Sequence, residues 1–325
     1  MYYKTRTSNP QVGGSSPPCR ARFFVSGGVL VHLFLNVLVP LYLLIALGYL
    51  LGRLYPELET RSVSVFVLNL LAPALVLHSF RTSDITLGSA LKVFAVASVV
   101  VSGCYLLCFA VEFLLLNGRI KAFEISSVFM NSGYLGLPLI FLMFGDRAFP
   151  VAIAFSISMT LLHFTMGIFL LQGSGLFRGV LEVARQPLVW AMVLGYAVKY
   201  LYLPSGIEKM LKLTGEATLP VMLIAIGVSL SRISLSKIRL SLLGVLLRFA
   251  GGALFSYLGC NLLRCDGLLY PVLFVQSSLP SAVMNYVLCD GFGEDAELAA
   301  SIIFFSTLLF PLYLPILKLF LPSVP

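Results

Sequence analysis

Charge is scarce in this sequence. Asp, Glu, Lys and Arg make up 11% of its 325 residues, against roughly a quarter in an ordinary soluble domain. With 59% of residues hydrophobic and a mean hydropathy of +0.98, too few polar side chains remain to cover a water-facing surface, so the chain reads as an all-α polytopic membrane protein. Histidine is nearly missing, at three residues, and the six cysteines are scattered. Cys104 and Cys108 lie one helical turn apart, but no histidines or carboxylates join them to hold a metal, and no cofactor is expected. There is no nucleotide-binding glycine loop and no serine–histidine or aspartate pair within an apolar run, so no catalytic residues and no enzyme are assigned. The net charge of +8 is accounted for by loop lysines and arginines, without any nucleic-acid partner.

What the chain does have is long apolar runs. Residues 1–28 carry Pro17-Pro18, serines, glycines and four cations without helical periodicity, which predicts a flexible tail. A cleaved secretory signal is the rival reading, yet the run after Val29 continues to Leu51, the roughly twenty residues of a true span. Further runs fall near 61–80, 87–116, 122–144, 148–172, 186–203, 207–230, 238–263, 268–289 and 296–321, giving ten spans with no soluble domain between them.

The fourth run contains a stretch that a lipid-spanning helix should avoid, Asn131-Ser132-Gly133-Tyr134-Leu135-Gly136-Leu137-Pro138. Proline lacks an N–H and clashes with the preceding turn, and glycine covers the backbone poorly. Hydrocarbon cannot satisfy the freed polar groups, so such backbone survives only where it is buried in protein or lines a wet cavity. A break of this kind near the bilayer midplane is where carriers hold their cargo.

The spans also repeat. Pro40-Leu41 followed by Leu47-Gly48-Tyr49 recurs 147 residues later as Pro187-Leu188 and Leu194-Gly195-Tyr196. The same offset carries Pro73 onto Pro220 and Asn69 onto Glu216. A second broken stretch, Gln276-Ser277-Ser278-Leu279-Pro280-Ser281-Ala282-Val283-Met284-Asn285, lies in the ninth run, and each break is followed by a Gly- and Asp-containing turn and a span dotted with serine and threonine. The expected domains are a first five-helix repeat at 29–172, a connecting loop at 173–185 and a second repeat at 186–321. An odd number of spans per repeat inverts the second copy. The broken fourth and ninth helices can then cross, unwound near Gly133–Pro138 and Ser278–Pro280, with two half-helix N-termini facing one anion.

The stretches at 131–138 and 279–285, with Glu-Asp-Ala-Glu-Leu-Ala-Ala at 294–300 and Leu219-Pro220 through Leu230, resemble the paired motifs of the auxin efflux carrier family, which includes the plant PIN and PIN-like carriers and bacterial organic-acid permeases. The resemblance implies a ten-span carrier, with a scaffold from spans one, two, six and seven and a transport unit built on the crossing of four and nine. The chain departs from the plant pattern in having one proline in the ninth span, with Asn285 at the place of a second, and in lacking a long central loop.

The candidate substrate-binding residues are Asn131, Ser132, Gly133, Tyr134, Gly136 and Pro138 in the first break, and Gln276, Ser277, Ser278, Pro280, Ser281 and Asn285 in the second. Asn131 and Asn285 either contact a ligand or bridge helices, and the serines either bind or satisfy backbone freed by a proline. Tyr134 either stacks on cargo or packs. Glu216 is an ionisable group inside the seventh run and a candidate for coupling or scaffold support, with Asn69 as its repeat mate, unless Lys212 makes it merely interfacial. Arg248 is either a buried counter-charge or a side chain snorkelling to the interface. Glu112 and Lys92, near the ends of the third run, are expected to meet water, and His78 and His163 are read as satisfied hydrogen-bonders.

The expected function is a secondary active or facilitative carrier of a small organic anion, auxin-like or another carboxylate. A membrane-embedded sensor without transport is the alternative. The partners are that anion, the lipid bilayer and, through the scaffold helices, a second copy in a homodimer. Basic residues number nine in the loops after odd spans against seven opposite, favouring cytosolic odd loops in a plasma or endoplasmic-reticulum membrane.

Overall fold

The computed structural model describes residues 31, 33–58, 63, 65–82, 85–116, 118–172, 185 and 187–321. The expected tail at 1–28 and most of the connection at 173–185 lie outside the described residues. Among the described residues there are helices and no β-strand beyond one isolated bridge. In chain order the helices are α1 (Phe34–Leu54), α2 (Val67–Thr82), α3 (Leu87–Leu116), α4 (Lys121–Val128), α5 (Gly136–Phe144), α6 (Phe149–Leu171), α7 (Pro187–Ala197), α8 (Ser205–Leu230), α9 (Ile238–Leu262), α10 (Leu269–Ser277), α11 (Met284–Gly291) and α12 (Ala296–Lys318). Six of these, α1, α3, α6, α8, α9 and α12, are long and apolar enough to cross a membrane.

Prolines shape the first two helices. Pro40 has no N–H, and just before it the chain widens into a π-turn at Phe34–Leu38, where the Val39 N–H reaches back five residues to the Phe34 carbonyl. Pro73 is preceded in the same way by a π-turn at Val67–Leu71. α7 is shorter than the run at 186–203 suggests. It gives way to turns after Ala197, beyond which Tyr200 and Tyr202 are exposed, as aromatic residues are at a membrane–water interface.

Two packed groups result. In one, α1 packs on α8, and α2 packs on α7 and α8. In the other, α9 packs on α3, α4, α10 and α12, while α6 packs on α3, α5 and α10. The main contacts between the groups are α5 with α1 and α8, and α2 with α6. Glycines set the first group's spacing. A Cβ at Gly48 would overlap the Ile224 carbonyl, one at Gly227 would overlap the Ile45 carbonyl, and one at Gly195 would lie 2.9 Å from the Leu77 carbonyl oxygen. The repeated Leu-Gly-Tyr triplets therefore mark places where backbone meets backbone, as small residues do between membrane helices.

Candidate functional site

The fourth and ninth apolar runs are each interrupted. α4 stops at Val128 and α5 starts at Gly136; α10 stops at Ser277 and α11 starts at Met284. The two linking segments lie antiparallel and side by side, with Met130 bridged to Ser281. The Asn131 N–H donates to the Pro280 carbonyl at 2.8 Å, and the Ala282 N–H donates to the Phe129 carbonyl at 3.0 Å. Each break thus satisfies part of the other's backbone, which hydrocarbon could not do. The first break lies one turn earlier than expected. Gly136 and Pro138 already belong to α5, where Pro138 is the third residue and its missing N–H would have had no partner in its own helix.

Hydroxyls from the following helices complete the crossing. Ser156 of α6 donates to the Ser132 carbonyl at 2.7 Å, and Ser306 of α12 accepts from the Ser281 N–H at 3.1 Å. One serine from the span after each break therefore serves the broken backbone. Ser278 closes its own helix, its hydroxyl donating to the Phe274 carbonyl at 2.8 Å. The Asn285 amide donates to the Phe129 carbonyl at 3.1 Å and to the Ser281 hydroxyl at 2.9 Å, tying the two breaks together.

Arg248 does not snorkel. Its side chain is fully buried, and its two terminal nitrogens donate to the carbonyls of Ser127 (3.1 Å), Val128 and Ser277 (2.8 Å). The guanidinium thus spans the C-terminal ends of α4 and α10, each carrying a partial negative charge of roughly half a unit. Gly252, one turn along α9, makes room for this: a Cβ there would overlap the Ser277 carbonyl and lie 2.6 Å from an Arg248 terminal nitrogen. The sequence offered the depth of Arg248 but not its carbonyl partners.

The opposite ends of the crossing are open to hydrogen bonding. Among the described residues, the N–H groups of Gly133 and Leu135 before α5, and of Val283 and Met284 at the start of α11, have no acceptor. Gly133, Val283 and Met284 are half-buried, and no atom lies within 4 Å of where a Cβ on Gly133 would sit. Nearby polar atoms are also left over. The amide of Asn131 makes no hydrogen bond among the described residues. Both amide atoms of fully buried Gln276 lack a partner, and a Cβ on Gly136 would meet its nitrogen at 3.2 Å. Ser277 Oγ is also unpartnered. Buried polar groups are rarely left so, and a cluster of them marks a place for water or a ligand. His163 is buried and stacked on Phe129 with ring centroids 4.3 Å apart, and its ring faces the Asn285 side chain.

Asn69 and Glu216 do not join this site. Asn69 is exposed and donates to the Val65 carbonyl of its own helix, and Glu216 is exposed with its carboxylate 3.8 Å from the Lys212 ammonium. Helical phase puts both on outer faces, with Glu216 facing Lys212. An exposed i,i+4 pair contributes only about 0.3 to 0.5 kcal/mol, and Glu216→Gln should leave both melting temperature and the pH dependence of transport unchanged. Glu112 is corrected in the other direction. It is buried, accepting the Ile120 N–H at 2.8 Å, beside Glu124, which holds Arg119 through two bonds of 2.7 and 2.8 Å.

Comparison with known proteins places the chain in a family. A family model described as "Membrane transport protein" matches residues 33–180 and 175–318. An uncharacterized transporter of Methanothermobacter thermautotrophicus is 29% identical over 295 residues, covering 87% of this chain and 95% of its own. A second, from Methanocaldococcus jannaschii, is 28% identical over 60% of this chain and 66% of its own. A probable auxin efflux carrier component 5b of Oryza sativa subsp. japonica is 28% identical over 39% of this chain and 37% of its own. The chain is therefore a multi-pass integral membrane protein and belongs to the membrane transport protein family, that of the auxin efflux carriers.

Proposed function

We propose that the protein is a secondary carrier of a small, mostly apolar organic anion, with alternating access around the crossing of the α4–α5 and α10–α11 pairs. The carrying observation is that two half-helix N-termini leave N–H groups unused at the crossing, where the Gln276 amide is unpartnered, while the C-terminal ends of α4 and α10 are occupied by Arg248. Such an end favours negative charge and donates hydrogen bonds to it. No ring of cations surrounds it among the described residues, which suits one monovalent headgroup, a carboxylate most simply.

We read the architecture as ten spans in inverted repeats at 29–172 and 186–321. The packing within each group supports this, since exchanging α1 with α7, α2 with α8, α3 with α9, α4 with α10, α5 with α11 and α6 with α12 maps the main contacts inside each group onto one another. In this reading α1, α2, α7 and α8 form a scaffold, through which two copies can associate, and the second group rocks against it. The binding residues are Asn131, Gly133, Gln276 and Ser277 with the half-helix N-termini; Ser132, Pro280, Ser281 and Asn285 hold the crossing.

Purified protein in liposomes should take up labelled monocarboxylates, auxin-like aromatic acids among them, and neither sugars nor inorganic cations. Movement of only cations or neutral sugars would overturn the reading. Saturable carboxylate binding without flux would instead favour a sensor.

A further inference from the structure

We propose that Arg248 is a built-in substitute for a coupling cation, so that transport needs no sodium or potassium ion; this rests on the carrier reading above. Where carriers break their helices, unwound carbonyls and half-helix C-terminal ends are the groups that coordinate a coupling ion. Here those groups are the carbonyls of Ser127, Val128 and Ser277, and a side chain of the same protein already binds all three. Cys104 Sγ lies 3.7 Å from the guanidinium, whose Nε has no partner, and no carboxylate pairs with it among the described residues. Arginine is effectively always charged, and one positive charge balances two helix ends of about half a negative charge each.

A mobile ion at such a place ties the two half-helices together only when bound, and so links their arrangement to an ion gradient. A tethered guanidinium ties α4 to α10 at every step of the cycle. The link to a gradient at this point is then removed, and the ends stay neutralised when the site is empty of cargo. Gly252 supports the assignment independently, because any side chain there would push the Ser277 carbonyl off the guanidinium.

The test uses the purified full-length protein, wild type and the variants Arg248→Ala and Arg248→Lys. Wild type should take up carboxylate at the same rate in sodium, potassium and choline media of equal ionic strength, and its melting temperature should not depend on which cation is present. Arg248→Ala should lose uptake and melt lower, and millimolar methylguanidinium or sodium should restore its melting temperature saturably, whereas choline should not. Arg248→Lys should keep cation-independent melting. Sodium-dependent uptake or saturable sodium stabilisation of wild type would overturn the proposal, as would an Arg248→Ala protein indifferent to small cations. If Arg248→Ala yields no folded protein, the wild-type and Arg248→Lys measurements decide alone. The melting arm does not involve cargo, so failure of every carboxylate to move would refute the carrier reading without touching this one.

Discussion

Asn131→Ala and Asn285→Ala are expected to fail in different ways, although the two residues read alike in the sequence. The Asn131 amide has no partner among the described residues and stands beside the free N–H groups ahead of α5. Its loss should remove one hydrogen bond to a charged headgroup, worth about 1.5 to 3 kcal/mol, or roughly ten- to a hundredfold in apparent affinity. Its melting temperature should hold. Asn285 instead donates to the Phe129 carbonyl of the other break and to Ser281, and both are buried. Removing it leaves the buried Ser281 hydroxyl unpartnered and takes one of two donors from the Phe129 carbonyl, which keeps the Ala282 N–H, and should destabilise the protein by about 1 to 3 kcal/mol, with the folded fraction still binding. Substrate affinity and melting temperature measured on the same preparations check both. Weakened binding with normal melting in Asn285→Ala, or the reverse in Asn131→Ala, would exchange the two roles.

Gly227→Ala is expected to be among the most damaging single-methyl changes in the chain. The added Cβ would overlap the Ile45 carbonyl oxygen and lie 2.5 Å from the Tyr49 nitrogen. Both obstacles are backbone, so no rotamer change relieves them and α1 must move away from α8. That separation gives up dispersion contacts along the crossing, because a gap of a fraction of an ångström forfeits much of each contact. Overpacking usually costs about 1 to 3 kcal/mol, and the upper end or loss of monodisperse protein is expected here. Gly133→Ala is the matched control, since nothing stands within 4 Å of its Cβ position and the fold should tolerate it. Size-exclusion profiles and melting curves of the two variants, purified side by side, decide the matter; equal behaviour would show that the α1–α8 contact yields easily.

Much of the helical layout was legible in the sequence, because it follows from local physics. Run lengths gave α3 and α8 through α12 to within a few residues, and Gly133 and Pro280 told of interrupted helices because neither lipid nor a regular helix satisfies the backbone there. Charge scarcity together with high hydropathy pointed to a membrane protein. Patterns confined to one helix left the answer open, or misled as at Glu112, wherever it depended on which way that helix faced. Glu216 and Asn69 sit in apolar runs, yet helical phase turns them outward, while Glu112 near a span end is turned inward. Only the tertiary structure decided the role of Arg248, since its carbonyl partners lie 121, 120 and 29 residues away and offer no side-chain signal at all. The same holds for Asn131 and Asn285. Their chemistry is identical, and what separates a candidate ligand contact from a strut is which backbone carbonyl of the opposite break comes within reach once the two half-helix pairs have crossed.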